Sequence, residues 1–257
     1  MDLGLRQKTA IVTGGSRGLG RGMALSLAGE GCRVVICARE ARSLAAAAGE
    51  IQERGGEVLA LPLDLAQEEN ALKLVEQTVA HFGRLDILIN NVGGNRRGAF
   101  EERSEQEWDE ILTLNVKVHI RTSRAAIPYL RQQGGAIIFI SSIFGRESGG
   151  EGLSIYNTTK SAVISLAKTM AAELAKDNIR VNSVAPGSIR FPGGSWDKRV
   201  QQDPQGMAEF VKKEIPLGRF GTVEEVANVV TFLASERASW VSGACLNVDG
   251  CQSRSLI

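Results

Sequence analysis

Lys8-Thr9-Ala10-Ile11-Val12-Thr13-Gly14-Gly15-Ser16-Arg17-Gly18-Leu19-Gly20 is the stretch that decides the fold. A short apolar run stops at a glycine turn, and beyond it Met23, Leu25, Leu27 and Ala28 take up a helical rhythm, giving strand, turn and helix. Glycine lets the backbone approach a phosphate closely, and the helix N-terminus offers unpaired N–H groups and the positive end of its dipole. The spacing is Gly-x-x-x-Gly-x-Gly, which by itself also describes an ordinary glycine-rich turn. Its place after a first strand and at the start of a helix gives it weight.

The pattern repeats downstream. Arg33-Val34-Val35-Ile36-Cys37-Ala38-Arg39 reads as a second strand, whose end is expected near an adenosine ribose. Position 38 is alanine, where an acid would bond a free 2′-hydroxyl, while Arg39 with Arg17 suits a 2′-phosphate and favours NADP(H). A one-residue shift would offer Glu40 instead, so NAD(H) stays open, as does plain solvent exposure for each arginine. A helix over 41–54, a third strand over 57–63 ending at Asp64, a helix over 68–82 and the strand Asp86-Ile87-Leu88-Ile89-Asn90 continue the alternation. Such alternation argues a parallel sheet covered on both faces.

The segment 104–131 carries Asn115, which in a helix interior is either a satisfied core amide or part of a site. Ala136-Ile137-Ile138-Phe139-Ile140 reads as a strand ending at Ser141-Ser142, on the edge where open α/β sheets bind ligands. Apolar spacing over 154–176 predicts a helix that stacks Tyr156 and Lys160 one turn apart. An ammonium near a phenol favours phenolate and brings proton exchange nearer neutrality. Alone, the pair is equally an exposed helix pair.

In chain order, residues 13–20, Asn90-Asn91-Val92-Gly93, Asn115, Ser142, Tyr156 with Lys160, and Asn182-Ser183-Val184-Ala185-Pro186-Gly187 resemble the motifs of the short-chain dehydrogenase/reductases. The likeness spans essentially the whole chain. It implies an α/β, single-domain, Rossmann-like doubly wound parallel sheet of about seven strands with helices on both faces. A nicotinamide dinucleotide is expected across the strand ends, held by Gly14, Ser16, Arg17, Gly18, Leu19 and Gly20, by Arg39, Asp64, Leu65, Asn91 and Gly93, by Tyr156 and Lys160, and by Pro186, Gly187 and Ile189. The implied catalytic set is Asn115, Ser142, Tyr156 and Lys160. Ser142 would bond the substrate carbonyl, Tyr156 would give it a proton as hydride arrives, and Lys160 would hold the nicotinamide ribose and lower the phenol pKa. Asn115 would bind a water linking Lys160 to solvent.

The sequence departs from the family pattern in several places. Val92 stands where alanine is common, Ser142 and Tyr156 are one residue further apart than usual, enlarging the loop 145–153, and no threonine follows Pro186-Gly187 at the expected place. Backbone groups near Ile189 are expected to take over the nicotinamide carboxamide. The stretch 188–218, with Phe191, Pro192, Gly193, Gly194 and Trp196, reads as a substrate lid or as ordinary packing. Arg96, Arg97, Arg146, Glu151 and Arg190 surround the expected pocket and suit an anionic substrate, or are solvated rim charges.

The nearest-looking branch is the 3-oxoacyl-carrier-protein reductases, through Pro216-Leu217-Gly218-Arg219-Phe220-Gly221 and Val248-Asp249-Gly250. Gln133 and Asp177 stand where that branch carries basic residues for its acidic carrier, which turns the expectation toward free small molecules, although Arg131 and Lys176 lie nearby. The leading expectation is an NADP(H)-dependent oxidoreductase for a small-molecule carbonyl or alcohol. An NAD-linked alcohol or sugar dehydrogenase and an idle dinucleotide-binding scaffold are the alternatives. Family habit also implies a homotetramer through the long helices and the last strand. Apolar residues nearly all round 162–175 fit that assembly, or burial within one subunit.

Composition agrees with one domain over residues 1–257. A hydrophobic content of 43%, a charged content of 23% and a formal charge of +1 supply no field that would draw nucleic acid or membrane. Residues 1–8 hold no signal-like apolar run and no stretch nears the roughly 18 apolar residues of a span, so a cytoplasmic location is expected. Cys32, Cys37, Cys245 and Cys251 show no CxxC spacing, His81 and His119 read as structural or surface residues, and no metal site is expected.

Overall fold

The computed structural model describes residues 2–256; Met1 and Ile257, the two ends of the expected domain, lie outside the described residues. The apolar run opens as β1 (Thr9–Thr13), and α1 (Gly18–Gly29) starts inside the glycine turn. Then follow β2 (Arg33–Ala38), α2 (Ala41–Glu53), β3 (Val58–Pro62), α3 (Glu69–Phe82) and β4 (Ile87–Asn90). Next come α4 (Glu105–Leu112), α5 (Val118–Leu130), β5 (Gly135–Ile140), α6 (Ser154–Leu174) and β6 (Ile179–Pro186). The chain ends through α7 (Ser195–Gln202), α8 (Pro204–Glu214), α9 (Val223–Ala234) and β7 (Cys245–Val248).

The strands form one 7-stranded sheet in the order β3-β2-β1-β4-β5-β6-β7, every pair parallel. Period-two alternation divides their side chains between two cores. Val12, Ile36, Ile89, Ile138 and Val184 face the layer containing Met23, Leu27, Leu44, Ile51 and Val230, from α1, α2 and α9. Ile11, Val35, Leu88, Phe139 and Val181 face the other layer, with Leu74, Ala126, Leu130, Val163 and Ala167 from α3, α5 and α6. Because β2 and β4 both flank β1, the strand order reverses there and leaves a crevice beyond the carboxyl ends.

The segment 104–131 is not one uniform helix. A capping box of Ser104 and Glu107 starts α4, and residues Thr113–Lys117 then widen into a π turn before α5 resumes. A π turn carries its extra residue inside a helix and is found chiefly where a side chain must be re-aimed at a site. Asn115 sits in it, fully buried. Among the described residues, no helix is long and apolar enough to cross a membrane.

Candidate active site

The glycine turn is shaped by close approach. Gly14 and Gly18 adopt left-handed φ values of 69° and 53°, and a Cβ on Gly20 would collide with the Gly14 carbonyl oxygen. Asn91, just beyond β4, ties the turn down by donating from Nδ2 to the Thr13 carbonyl at 2.9 Å. Thr13 Oγ1 accepts in return from the Asn91 N–H at 2.8 Å. These bonds hold open a cavity of about 580 Å³ over the ends of β1, β2 and β4. It collects Gly14, Ser16, Arg17, Gly18, Leu19, Gly20, Arg39, Asp64, Leu65, Asn91 and Gly93, as the sequence nominated them.

At the end of the cavity beside β2 the acid and the arginine differ in what already occupies them. Glu40 caps α2, with Oε1 accepting from the Arg42 N–H and Oε2 from the Ser43 N–H, both at 2.7 Å. Bonds from Ser43, side chain and backbone, then from Arg42, hold its carboxyl below the usual range. Arg17 and Arg39 have no ion-pair partner among the described residues. Pro186, Gly187 and Ile189 do not line this cavity. Gly187 donates to the Val248 carbonyl at 3.0 Å, Ser188 N–H donates to Gln252 Oε1 at 2.8 Å, and the Ile189 side chain is buried in the core. Phe191 lines the cavity instead, its ring lying against Gly18.

Beyond β5, Ser142 is buried and its Oγ accepts from the Phe144 N–H at 3.2 Å. On α6, Lys160 is 5% exposed, donates from Nζ to the Ile140 carbonyl at 2.8 Å, and lies 5.8 Å from the centre of the Tyr156 ring. A Cβ built on Gly93 would stand 3.1 Å from Asn115 Oδ1 and 3.5 Å from Lys160 Nζ, so the turn after β4 meets these residues directly. Ser142, Tyr156, Lys160 and Asn115 thus gather at one sheet edge.

One expectation needs correction, that on the Tyr156 phenol. Burial pushes the Tyr156 phenol above its ordinary value, opposed only by a hydrogen bond with Ser142. Lys160, with Nζ 5.8 Å from the ring centre and itself pulled down to about 8 by burial, does not offset that rise. Asn115, in turn, spends its side chain on protein. Its Oδ1 accepts from the Gly94 N–H at 2.8 Å, while Nδ2 donates to the Gly94 carbonyl at 3.0 Å and to Thr159 Oγ1 at 2.9 Å. Thr159 Oγ1 donates onward to the Tyr156 carbonyl at 3.0 Å, so Asn115 braces the helix turn that carries the phenol. Sequence reading missed Thr159; the signal was a threonine three residues after the tyrosine, able to bond back along its helix.

His119 is the buried member of the histidine pair and His81 the exposed one. His119 Nε2 bonds the Val92 carbonyl at 2.8 Å, and burial first, then the Lys160 charge, push its pKa down to about 3. Cys32 and Cys37 are buried thiols pushed up to about 12 by burial, inert packing residues.

The charges expected at the pocket mouth are mostly paired. Arg96 binds Glu110 at 2.6 Å, Arg190 binds Asp197 at 3.0 Å, and Arg146 donates to the Cys245 carbonyl at 2.9 Å. Trp196 packs among its own neighbours, 4.9 Å from the Phe210 ring and 5.4 Å from Phe220.

A doubly wound parallel sheet with a glycine cradle, and with serine, tyrosine, lysine and asparagine meeting at its edge, defines a short-chain dehydrogenase/reductase. The chain belongs to that family: the family profile described as enoyl-(acyl carrier protein) reductase matches residues 14–251. It is 35% identical over 247 residues to the 3-oxoacyl-[acyl-carrier-protein] reductase FabG of Thermotoga maritima, covering 96% of this chain and 98% of the relative. The Staphylococcus aureus enzyme of that name is 37% identical over 249 residues, covering 95% and 97%. The fold overlays L-sorbose reductase from Gluconobacter frateurii, solved with NADPH and L-sorbose, with a TM-score of 0.95 at 36% identity over 100% of both chains. The protein is an oxidoreductase family member with reductase relatives.

Proposed function

We propose that this protein is an NADP(H)-dependent reductase of small carbonyl compounds, running in reverse as an alcohol dehydrogenase, with Tyr156 as acid and base. The carrying observation is the meeting of Ser142, Tyr156 and Lys160 beside a glycine cradle whose far end presents unpaired Arg17 and Arg39. The cradle fits a dinucleotide: its glycines line the cavity without side chains, and α1 begins at it with N–H groups. Arg17 and Arg39 suit a 2′-phosphate, and the capping role of Glu40 removes the competing acid. The bound nicotinamide supplies or accepts the hydride.

The chain's own residues do the rest. Ser142 holds the carbonyl oxygen and orients it toward Tyr156. The Tyr156 O–H bond breaks as its proton passes to that oxygen, leaving a phenolate beside the Lys160 ammonium. A lysine with its pKa near 8 keeps its charge at neutral pH and stabilises the phenolate only as it forms. Asn115 and Thr159 fix the turn of α6 that aims the phenol. In this reading residues 1–257 act as one catalytic unit in the cytoplasm, residues 188–218 close over the substrate as a lid, and the assembly is a homotetramer.

Free small molecules suit the surface better than an acidic carrier. Asp177 takes up Arg131 at 2.8 Å, and Gln133 is spent on the Leu85 carbonyl at 2.9 Å.

The test is a titration of NADPH against NADH, followed by a panel of ketones, aldehydes and 3-oxoacyl thioesters. NADPH is expected to bind more tightly, and Arg39→Asp to weaken it by about tenfold or more while sparing NADH. Tyr156→Phe is expected to retain cofactor binding and lose turnover by about a hundredfold or more. A wild-type preference for NADH would remove the roles of Arg17 and Arg39; undiminished turnover in Tyr156→Phe would remove the proton donor.

A further inference from the structure

The chain reverses sharply after β7. Gly250 and Cys251 both take left-handed φ values, 63° and 67°, and the Asp249 carboxylate holds the turn, accepting from the Cys251 N–H at 3.0 Å and the Ser253 N–H at 2.8 Å. The root of this tail is packed tightly, since a Cβ on Gly187 would stand 2.7 Å from Asp249 Cβ and 2.8 Å from Gln252 Oε1.

From there the tail grips three segments. Gln252 Oε1 accepts from the Ser188 N–H at 2.8 Å, at the first residue of the proposed lid. Arg254 donates from Nη2 to Glu214 at 3.3 Å, at the end of α8. The backbone N–H of Arg254 donates to Glu147 Oε2 at 2.9 Å, in the loop that runs from the Ser142 end of β5 to the start of α6. Glu147 is itself tied to that helix: its carbonyl accepts from Asn157 Nδ2 at 2.7 Å, and Asn157 is the residue after Tyr156. Arg254 therefore stands between α8 and the turn of α6 that carries the phenol, bonded toward one by its side chain and toward the other by its backbone.

These bonds differ in strength. The Arg254 and Glu214 side chains are 78% and 31% exposed, and Lys213 lies 3.7 Å from the other carboxylate oxygen, so water and salt screen the pair and it breaks readily. Glu147 and Gln252 instead hold backbone N–H groups at shorter distances. A segment gripped firmly at the loop and loosely at α8 gives way at α8 first.

We propose that residues 249–255 are a latch across the active site, with Arg254 and Glu147 as positioning residues that keep the Tyr156 turn in place while the lid is closed. This rests on the reductase reading, in which residues 188–218 cover the substrate. When α8 moves away, its pair with Arg254 parts, the tail slackens on Glu147, and the first turn of α6 loses its outer brace. Proton transfer is thereby confined to the closed state.

Hydrogen exchange of the full chain, followed by mass spectrometry, tests the latch from both ends. Glu147→Ala leaves the backbone carbonyl on Asn157 and removes only the acceptor for the tail, whereas Arg254→Ala leaves the bond to Glu147 and removes only the ion pair with Glu214. The crossed responses decide. Glu147→Ala is expected to speed exchange in residues 188–218 about fivefold or more, and Arg254→Ala to do the same in residues 145–157. Faster exchange only beside the substituted residue, or none in either variant, overturns the latch. Either variant decides alone should the other fail to fold.

Turnover supplies a second readout. Glu147 touches no lid residue, yet at saturating NADPH Glu147→Ala is expected to raise KM for a ketone of the panel as well as to lower kcat, each about threefold or more, with NADPH affinity unchanged. An unmoved KM overturns the coupling. Exchange needs no substrate, so the two readings fail apart. Crossed exchange in a protein that reduces none of the carbonyls supports the latch and removes the reductase reading, whereas purely local exchange in an active reductase overturns the latch alone.

Discussion

The glycine turn and the proposed lid, residues 188–218, meet at Phe191, and they are held in shape by different forces. In the turn the tightest contact is backbone against backbone, the Gly14 carbonyl against Gly20, with the Asn91 side-chain amide bonded to the Thr13 carbonyl. In the lid the fixing contacts are made by side chains. Asp197 accepts from the Gly193 N–H at 3.0 Å, Arg190 Nε at 3.1 Å and Gln201 Nε2 at 2.9 Å, while Trp196, Phe210 and Phe220 stack beside it. A backbone cradle admits one residue type at each tight point, whereas a side-chain lattice can be built from many combinations. The first shape is therefore rigid and the second adjustable, which suits a fixed cofactor and a chosen substrate.

The largest expected effect sets one glycine from each region against the other. Gly20→Ala drives a methyl group into the Gly14 carbonyl and must move α1 off the turn, at a cost of about 3 kcal/mol or more. That is a Tm fall on the order of 6–12 °C for a chain of this size, with loss of dinucleotide binding. Gly193→Ala has no atom within 4 Å of its new methyl and pays only for a left-handed φ of 72°, about 1 kcal/mol. Thermal melts with and without NADPH read both. Equal losses in the two variants would mean that the regions are constrained alike.

The same contrast explains what was legible in the sequence. Strand and helix alternation, the parallel sheet and the glycine cavity follow from periodicity and from residues with few conformational substitutes. Helix α6 was expected to start at Ser154 and does so. What was not legible depends on contacts distant in the chain. No local pattern reveals that Gly94 would satisfy Asn115, that Glu40 would be spent as a helix cap, or that Arg146 would reach Cys245. The π turn at Asn115 has no composition signal, since its cause is the partner waiting at Gly94 and Thr159.

A smaller effect comes from the buried cation on α6. Folding lowers the Lys160 pKa from an ordinary 10.5 to about 8, so between those values the unfolded chain binds a proton that the folded chain does not. Stability should therefore rise with pH across that window, by roughly 3 kcal/mol at most and on the order of 2 kcal/mol between pH 7.5 and 9.5. Lys160→Met should flatten the rise. Urea unfolding of both proteins at several pH values gives the difference directly, and parallel curves would show that the ammonium is not desolvated by its place in α6.

The lid should answer least to pH. Bonds from the Gly193 N–H foremost, then from Arg190, hold the Asp197 carboxyl below its ordinary 3.8, so its contribution is present above that value and fades only as the solution is acidified through the lower folded one. Near neutrality Asp197 is a fixed acceptor, and Asp197→Asn tests it as geometry. The amide keeps one acceptor oxygen for Gly193 or Arg190 but cannot serve both donors and Gln201 as a carboxylate does. Residues 190–193 then lose their anchor, and Phe191 loses the strap that seats it against Gly18. Because this loosens a closing segment and leaves Ser142, Tyr156 and Lys160 in place, KM for the carbonyl substrate should rise a few-fold, with Tm nearly unchanged and the pH profile of kcat unmoved. A loss as large as that of Gly20→Ala would mean that side-chain bonds hold the lid as firmly as backbone contacts hold the turn, and the contrast between the two regions would fail.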